Sequence, residues 1–504
     1  MNRLVVVSNR VPVASAATPA GGLAVALDGL MEKRGGLWFG WSGAVVAGAG
    51  TSIRVRHERG VDFATIDLTQ DEHDRYYNNF ANGVLWPLLH TMPELMCFDR
   101  HDAQVYREVN VRMAAALQPL LRPSDFVWIH DYHLLPLAAA LRARGVANPI
   151  GFFLHVPFAS ADVLAAAPEM GTLVRDMLAA DLLGFQSDND LANFAAAAEV
   201  FAEARRQPGN VLLVAGRRVR LGVFPVEIEP HGFAQLAARM VKSSEVERLR
   251  RSIAGQHLIL GVERLDPTKG LLQRMTGLRR LFAKHPKWLR RATMLQIAAV
   301  SRKDVASYRN LRESLDRETG ALNADLAEPD WQPLRFVSRA ADRTLVAGYL
   351  RLARVGLVTP LRDGMNLVAK EFVAAQNPDD PGVLVLSRFA GAAQQLDGAL
   401  LVNPHDPDAL ADALDRALAM PLAERQERWQ TMWAAIENRS PIAWGRAFVA
   451  ALVRATTINA VPEMGFRGTL APEHAPPPPA IGSELVLAEP RRTAILLPER
   501  LPLN

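Results

Sequence analysis

In the stretch GVERLDPTKGL, Arg264 and Lys269 stand five residues apart with Asp266 between them, and Gly270 closes the loop. Two cations at that spacing beside a glycine suit a pyrophosphate, with Asp266 placed to hold Arg264. The plainer alternative is a surface ion pair. Lysine is scarce in this chain, seven among 57 basic residues, and a compact ammonium suits phosphate, which singles out Lys269. In a second stretch, TPLRDGMNLVAKEF, a strand ends and Asp363-Gly364-Met365-Asn366 turns into a helix. The amides of Asn366, Leu367 and Val368 at that helix start would face an anion, aided by the helix dipole. Asp363 at the turn would accept hydrogen bonds from a sugar, and Glu371, a turn into the helix, would reach ribose hydroxyls.

Two further stretches carry weaker signals. SNRVPV ends a strand at Arg10, and Gly21-Gly22 then opens a helix whose amides would attract phosphate; the alternative is a simple glycine turn. YYNNFANGVLWPLLH reads as an aromatic helix with Tyr77 and Trp86, which is either core packing or the apolar wall of a sugar pocket. Asp188-Asn189-Asp190 has the D-x-D form of a metal site, but Ser187 before it and an acid three residues on read as a helix start. His130-Asp131-Tyr132-His133 lacks a third ligand at zinc-like spacing. No metal site and no cofactor are expected.

These residues need elements to hold them. Short apolar runs such as LVVVSN, FVWIHD, IGFFLHV and LLGFQ form a first series; LILGVERL, MLQIAAV, LRFVS, VGLVTPL, VLVLS and ALLVN form a second. Most lack alternation, as strands buried on both faces should, and helical stretches separate them. That order predicts an α/β fold of two doubly wound Rossmann-like domains facing a cleft. The expected boundaries are 1–228, 229–461 with closing helices, and a Pro-rich extended tail at 462–504. Arg10, Asp131, His155, Gln186, Arg264, Arg302 and Asp363 all fall at or just after a predicted strand's carboxyl end, where open α/β sheets bind ligands.

Bulk properties exclude several classes. The 504 residues exceed what one core organises. A formal net charge of +4, with no block of five like charges, argues against a nucleic-acid surface. The single cysteine, Cys97, forms no intramolecular disulfide and reads as a buried thiol. No apolar run is long enough to span a membrane, and the first is too short for a signal peptide, so the expected location is the cytoplasm. A homo-oligomer is expected.

The strings VVVSNR, GGLAVAL, GLWFGWSG, VLWPLLH, WIHDYHLLP, IGFFLHVPF, LLGFQ, LRDGMNLVAKEF and SRFAGAAQQL, in this order over about residues 3 to 405, resemble the bacterial trehalose-6-phosphate synthase family. These are metal-independent retaining glycosyltransferases of the GT-B type. The resemblance implies transfer of glucose from a nucleotide-glucose to glucose 6-phosphate. It implies an acceptor-phosphate clamp of Arg10 and Arg302 with Tyr77 beside them, pocket walls at Trp41 and Trp86, and Asp131 on acceptor hydroxyls. For the donor it implies diphosphate contacts from Gly21, Gly22, Arg264 and Lys269. Asp363 and the amides of Met365, Asn366, Leu367 and Val368 would hold glucose and phosphate, Glu371 the ribose, and His155 would lie near the donor sugar. Asp131, His155, Arg264, Lys269 and Asp363 are then the expected catalytic set.

The chain departs from the family's pattern at Pro267-Thr268, Ala159 and Ala340-Ala341, none of them charged. The last of these bears on the base, for which UDP is the first expectation and ADP or GDP the alternatives. Two other functions fit the same scaffold. One is transfer to a different phosphorylated acceptor; the other is a catalytically silent sugar-phosphate sensor.

Overall fold

The computed structural model describes residues 2–12, 22–48 and 53–460. Gly21 and the expected tail at 462–504 lie outside the described residues.

Two sheets form the frame. The first contains β1 (Leu4–Arg10), β2 (Gly36–Val46), β3 (Arg54–Glu58), β4 (Val61–Thr69), β5 (Phe126–His130), β6 (Ile150–Phe153), β7 (Leu182–Phe185), β8 (Arg205–Gln207), β9 (Val211–Val214) and β10 (Arg217–Val223). Their spatial order is β3-β4-β2-β1-β5-β6-β7-β10-β9-β8. Only the β3–β4, β9–β10 and β8–β9 pairings are antiparallel. The second sheet is wholly parallel: β11 (His257–Arg264), β12 (Ala292–Ala299), β13 (Leu334–Val337), β14 (Val355–Val358), β15 (Val383–Ser387) and β16 (Leu400–Val402), in the order β13-β12-β11-β14-β15-β16. Counted from its first strand this is 3-2-1-4-5-6, the Rossmann order, and the parallel core β4-β2-β1-β5-β6-β7 of the first sheet repeats it. Both sheets reverse direction beside their first strand, β1 or β11, which leaves a crevice at the carboxyl edge.

The ten expected strands are all present. β2, β3, β4 and the antiparallel β8–β9–β10 edge are additions to that set. The interior strands β5, β6, β7, β14 and β15 are buried along their whole length, because helices cover both faces. The aromatic segment His73–Leu85 is a π-helix, in which Trp86 N–H reaches back five residues to Ala81 O.

The chain crosses between the halves twice. The first crossing, after Val223, leads into the helix Pro230–Met240. The second leads into the helix Pro441–Ala460, and here the expected boundary 229–461 is corrected. That helix packs on the first sheet, inserting Trp444, Phe448 and Leu452 against Trp128 and Phe153. Gly151 and Gly184 make room, since a Cβ on either would press on the Phe448 ring. Glu227 clamps both crossings: it bonds Lys370 Nζ at 2.7 Å and Arg439 at 3.3 Å. Cys97 is exposed, not buried, because it sits in the extended stretch between Leu95 and the helix Arg100–Leu117.

Candidate active site

Asp266, just past the end of β11, is fully buried. Its carboxylate accepts from Trp86 Nε1 (3.2 Å), Thr268 N (3.0 Å), Thr268 Oγ1 (2.9 Å) and Tyr308 OH (2.9 Å). Arg302 Nη1 stands 3.5 Å from it and Arg264 Nη2 3.7 Å. Burial alone would raise its pKa, but the charges of Arg302, Arg264 and Lys269 outweigh burial and hold it well below the usual carboxylate range. Arg302 follows β12 with φ +49°, a left-handed conformation that non-glycine residues rarely adopt. Its guanidinium lies 4.0 Å from the centre of the Trp86 ring and donates to Tyr308 OH and, at 3.0 Å, to Tyr132 OH. Tyr132 OH donates in turn to Asn82 Oδ1 (2.7 Å), and Asn82 Nδ2 to Tyr77 O (2.7 Å). One hydrogen-bonded chain therefore runs from the π-helix of the first half to Asp266 of the second.

The first half contributes β-strand ends. Asp131 follows β5 with φ +77° and ψ 168°, a region that is nearly glycine-only. Its Oδ1 accepts His155 N at 3.2 Å. Burial pushes its pKa up to about 6, opposed by the backbone amides of His155 and Tyr132 and by Arg302. Burial pushes His155 down to about 3 and His90 down to about 4, so both rings are neutral at physiological pH. Arg10, at the end of β1, is exposed, and its guanidinium lies 5.8 Å from the centre of the Trp41 ring.

In the second half, Lys269 and Asp363 form an ion pair in which Lys269 is nearly buried. Asn366 Nδ2 donates to Asp363 Oδ2 and Glu263 Oε1, both at 3.0 Å. Asn366 adopts φ +69° and places no side-chain cap on the helix Leu367–Ala375, so its first amides stay open to an anion. Glu371 on that helix is held by Arg343 Nη2 at 2.9 Å.

A cavity of about 440 Å³ brings these groups together. Arg10, Tyr77, Trp86, Asp131, His155, Arg264, Lys269, Arg302 and Asp363 all line it. Met365, Asn366, Leu367, Val368 and Glu371 lie outside it. Trp41 stands one layer back from it, against Tyr77 and beneath the Arg10 guanidinium, both of which line the cavity. It is buried behind Tyr77 and His73, and its Nε1 donates to Ala44 O at 2.7 Å. Asp190 is held as a structural group: Oδ1 accepts Phe158 N, Oδ2 accepts the Ser187 hydroxyl, and Ser187 caps its helix.

Residues 2–454 match the family model described as glycosyltransferase family 20. The chain is 46% identical over 453 residues to a trehalose-6-phosphate synthase of Sinorhizobium fredii, covering 89% of this chain and 98% of that one. The chain belongs to glycosyltransferase family 20. Among solved structures it resembles a UDP-forming alpha,alpha-trehalose-phosphate synthase from Burkholderia vietnamiensis, with TM-score 0.89, 45% identity, and coverage of 92% and 99%. It also resembles one from Burkholderia xenovorans in complex with glucose-6-phosphate, with TM-score 0.87, 44% identity, and coverage of 90% and 100%.

This family 20 chain places groups in its cavity that spacing alone does not pick out. Tyr132, His90, His130 and His133 line it, and Tyr308 bonds Arg302 beneath it. The HDYH string holds three of the five, but its spacing invites a metal reading. Tyr308 lies on a helix of the second half with no local signal at all.

Proposed function

We propose that this protein transfers a glucosyl group from UDP-glucose to glucose 6-phosphate with retention, giving trehalose 6-phosphate and UDP. The observation that carries this reading is the meeting of cations from both halves in one cavity, Arg10 from the first sheet and Arg264, Lys269 and Arg302 from the second. The UDP-forming and glucose-6-phosphate-bound relatives support the choice of donor and acceptor. Arg10 and Arg302 grip the acceptor phosphate, and Asp131 accepts from acceptor hydroxyls. Arg264, Lys269 and the open amides at Leu367 and Val368 face the donor diphosphate, Asp363 its glucose and Glu371 its ribose.

In the reaction, the bond from the anomeric carbon to the phosphate oxygen breaks and its electron pair stays on the diphosphate. Arg264, Lys269 and the helix amides neutralise that charge in place, usually the largest catalytic term. The acceptor hydroxyl attacks from the same face and its proton goes to the departing phosphate oxygen. Side chains supply the positive charge, so no metal or cofactor takes part. The protein works in the cytoplasm as a homo-oligomer; among the described residues no helix is long and apolar enough to cross a membrane.

The test incubates the purified protein with glucose 6-phosphate and each of UDP-, ADP- and GDP-glucose, reading nucleoside diphosphate release and the sugar product. UDP-glucose should give the fastest release and trehalose 6-phosphate as product. Plain glucose serving as well as its phosphate would overturn the reading.

A further inference from the structure

Two histidines meet at the floor of the cavity. His130 ends β5 and is fully buried; His155 follows β6 and is partly open to the cavity. His130 Nδ1 lies 3.0 Å from His155 Nε2. One nitrogen must donate and the other accept, so the pair has two possible arrangements. The far side of His130 separates them. Its Nε2 is sealed from solvent without a partner, in a box formed by Trp128 (ring centroids 4.5 Å apart), Phe153 and Trp444 (6.4 Å each).

If His155 donated, His130 Nδ1 would carry a lone pair, and the neutral ring would hold its proton on Nε2. That proton would be a buried donor with no hydrogen-bond acceptor, only the weak one of an aromatic face. If His130 donates instead, Nε2 is a bare lone pair facing aromatic rings. An orphaned buried N–H is rare and costly, and an orphaned acceptor less so. We propose that His130 is a positioning residue that sets the tautomer of His155: His130 Nδ1–H donates to His155 Nε2, and His155 carries its own proton on Nδ1. Among the described residues that nitrogen has no hydrogen-bond partner, and it is not one of the sealed atoms. The cavity therefore receives a neutral N–H donor. Burial keeps both rings unprotonated at physiological pH, so the arrangement does not switch.

The consequence, which rests on the glucosyl-transfer reading, concerns the proton. With Nε2 occupied by His130 and Nδ1 protonated, His155 has no free lone pair toward the substrates. It binds an oxygen of the nucleotide-sugar as a donor and cannot act as a base. The acceptor's proton has to leave by another route.

The experiment is a long-range proton–nitrogen correlation spectrum of the full-length protein carrying nitrogen-labelled histidine, at neutral pH, with the two signals assigned through His130→Asn and His155→Gln. The expected spectrum has His155 and His130 both protonated on Nδ1. A proton on His155 Nε2, or on His130 Nε2 held against an indole face, overturns the proposal. Two variants add a kinetic readout. In His130→Asn the amide nitrogen stands where Nδ1 stood and should keep the His155 tautomer and most of kcat. In His130→Leu the donor is gone; kcat should fall by about 10-fold or more with KM for glucose 6-phosphate little changed. Equal loss in both variants, with the wild-type tautomer kept in each, also overturns it. If the leucine variant does not fold, the wild-type spectrum decides alone. Failure of the functional reading would instead appear as a wild type inactive with UDP-glucose, which leaves the spectrum unaffected.

Discussion

Asp131 shows how much a single residue's setting controls. Its pKa is raised to about 6 against an ordinary value of 3.8, because burial outweighs the amides and Arg302 that favour the charge. A carboxyl whose folded pKa lies above its unfolded one holds its proton longer when folded. Its contribution to stability therefore declines as pH rises between those two values. Only the carboxylate is acceptor-only toward hydroxyls. The KM for glucose 6-phosphate should rise as pH falls through about 6. The substrate phosphate titrates nearby, so the measurement is the ratio of wild type to Asp131→Asn across pH 5 to 8, in which the substrate term cancels. A flat ratio would remove Asp131 from the acceptor site.

Asp266 carries the opposite sign. Its folded pKa is held far below the usual range, so its stabilising contribution is fully present above the unfolded pKa and is lost only in strong acid. Asp266→Asn leaves Arg302 buried without a counter-charge, which should cost about 3–5 kcal/mol in urea unfolding at neutral pH. Glucose 6-phosphate should then raise the Tm of the variant more than that of the wild type, because its phosphate replaces the missing charge. An equal rise in both would separate Arg302 from the phosphate.

At the scale of elements, the helix Leu367–Ala375 and the strand end at His155 meet across the two halves. Gly364, just before that helix, leaves no space for a Cβ, which would press on the His155 carbonyl and Val156. Gly364→Ala should wedge these elements apart. A misplacement on that scale costs about 100-fold in kcat. The open amides of the helix and the Lys269–Asp363 pair stay within the second half, so UDP alone should bind within a few-fold of wild type. Calorimetry with UDP beside steady-state kinetics checks this; parallel loss of both would mean that the glycine supports the second half itself.

For the molecule as a whole, every proposed ligand precedes residue 372, and the described core ends with the helix Pro441–Ala460. Removing residues 462–504 should leave kcat within about two-fold, and the trimmed protein should keep full activity after EDTA treatment, since side chains supply the cations. Loss of activity on truncation, or a change of mass in light scattering, would assign the tail a role in the active assembly. Loss on chelation restored by magnesium or manganese would return a metal to the reaction.

The sequence by itself determined what local rules govern. Unbroken apolar runs mark strands buried on both faces, and their alternation with helices sets the parallel order and places Arg10, Asp131, Arg264 and Asp363 at carboxyl ends. The Pro208-Gly209-Asn210 and Ala215-Gly216 turns also signal the β8–β9–β10 edge, with positive φ at Gly209, Asn210, Ala215 and Gly216; that signal is present in the sequence although the strand series omits it. β4 is harder, since its burial alternates and two aspartates interrupt it. What crosses the chain at long range was decided only in three dimensions. The helix Pro441–Ala460 returns to the first sheet because Phe448 fits over Gly151 and Gly184, which lie 297 and 264 residues earlier in the chain. Trp41 and Trp86 are both tryptophans in aromatic stretches, and only the fold decides that Arg10 lies against the first and Arg302 against the second. Tyr308 and Tyr132 join one hydrogen-bonded chain through Arg302 although they stand 176 residues apart. Propensity and periodicity act over a few residues, whereas partners such as these are chosen by how elements distant in the chain come together.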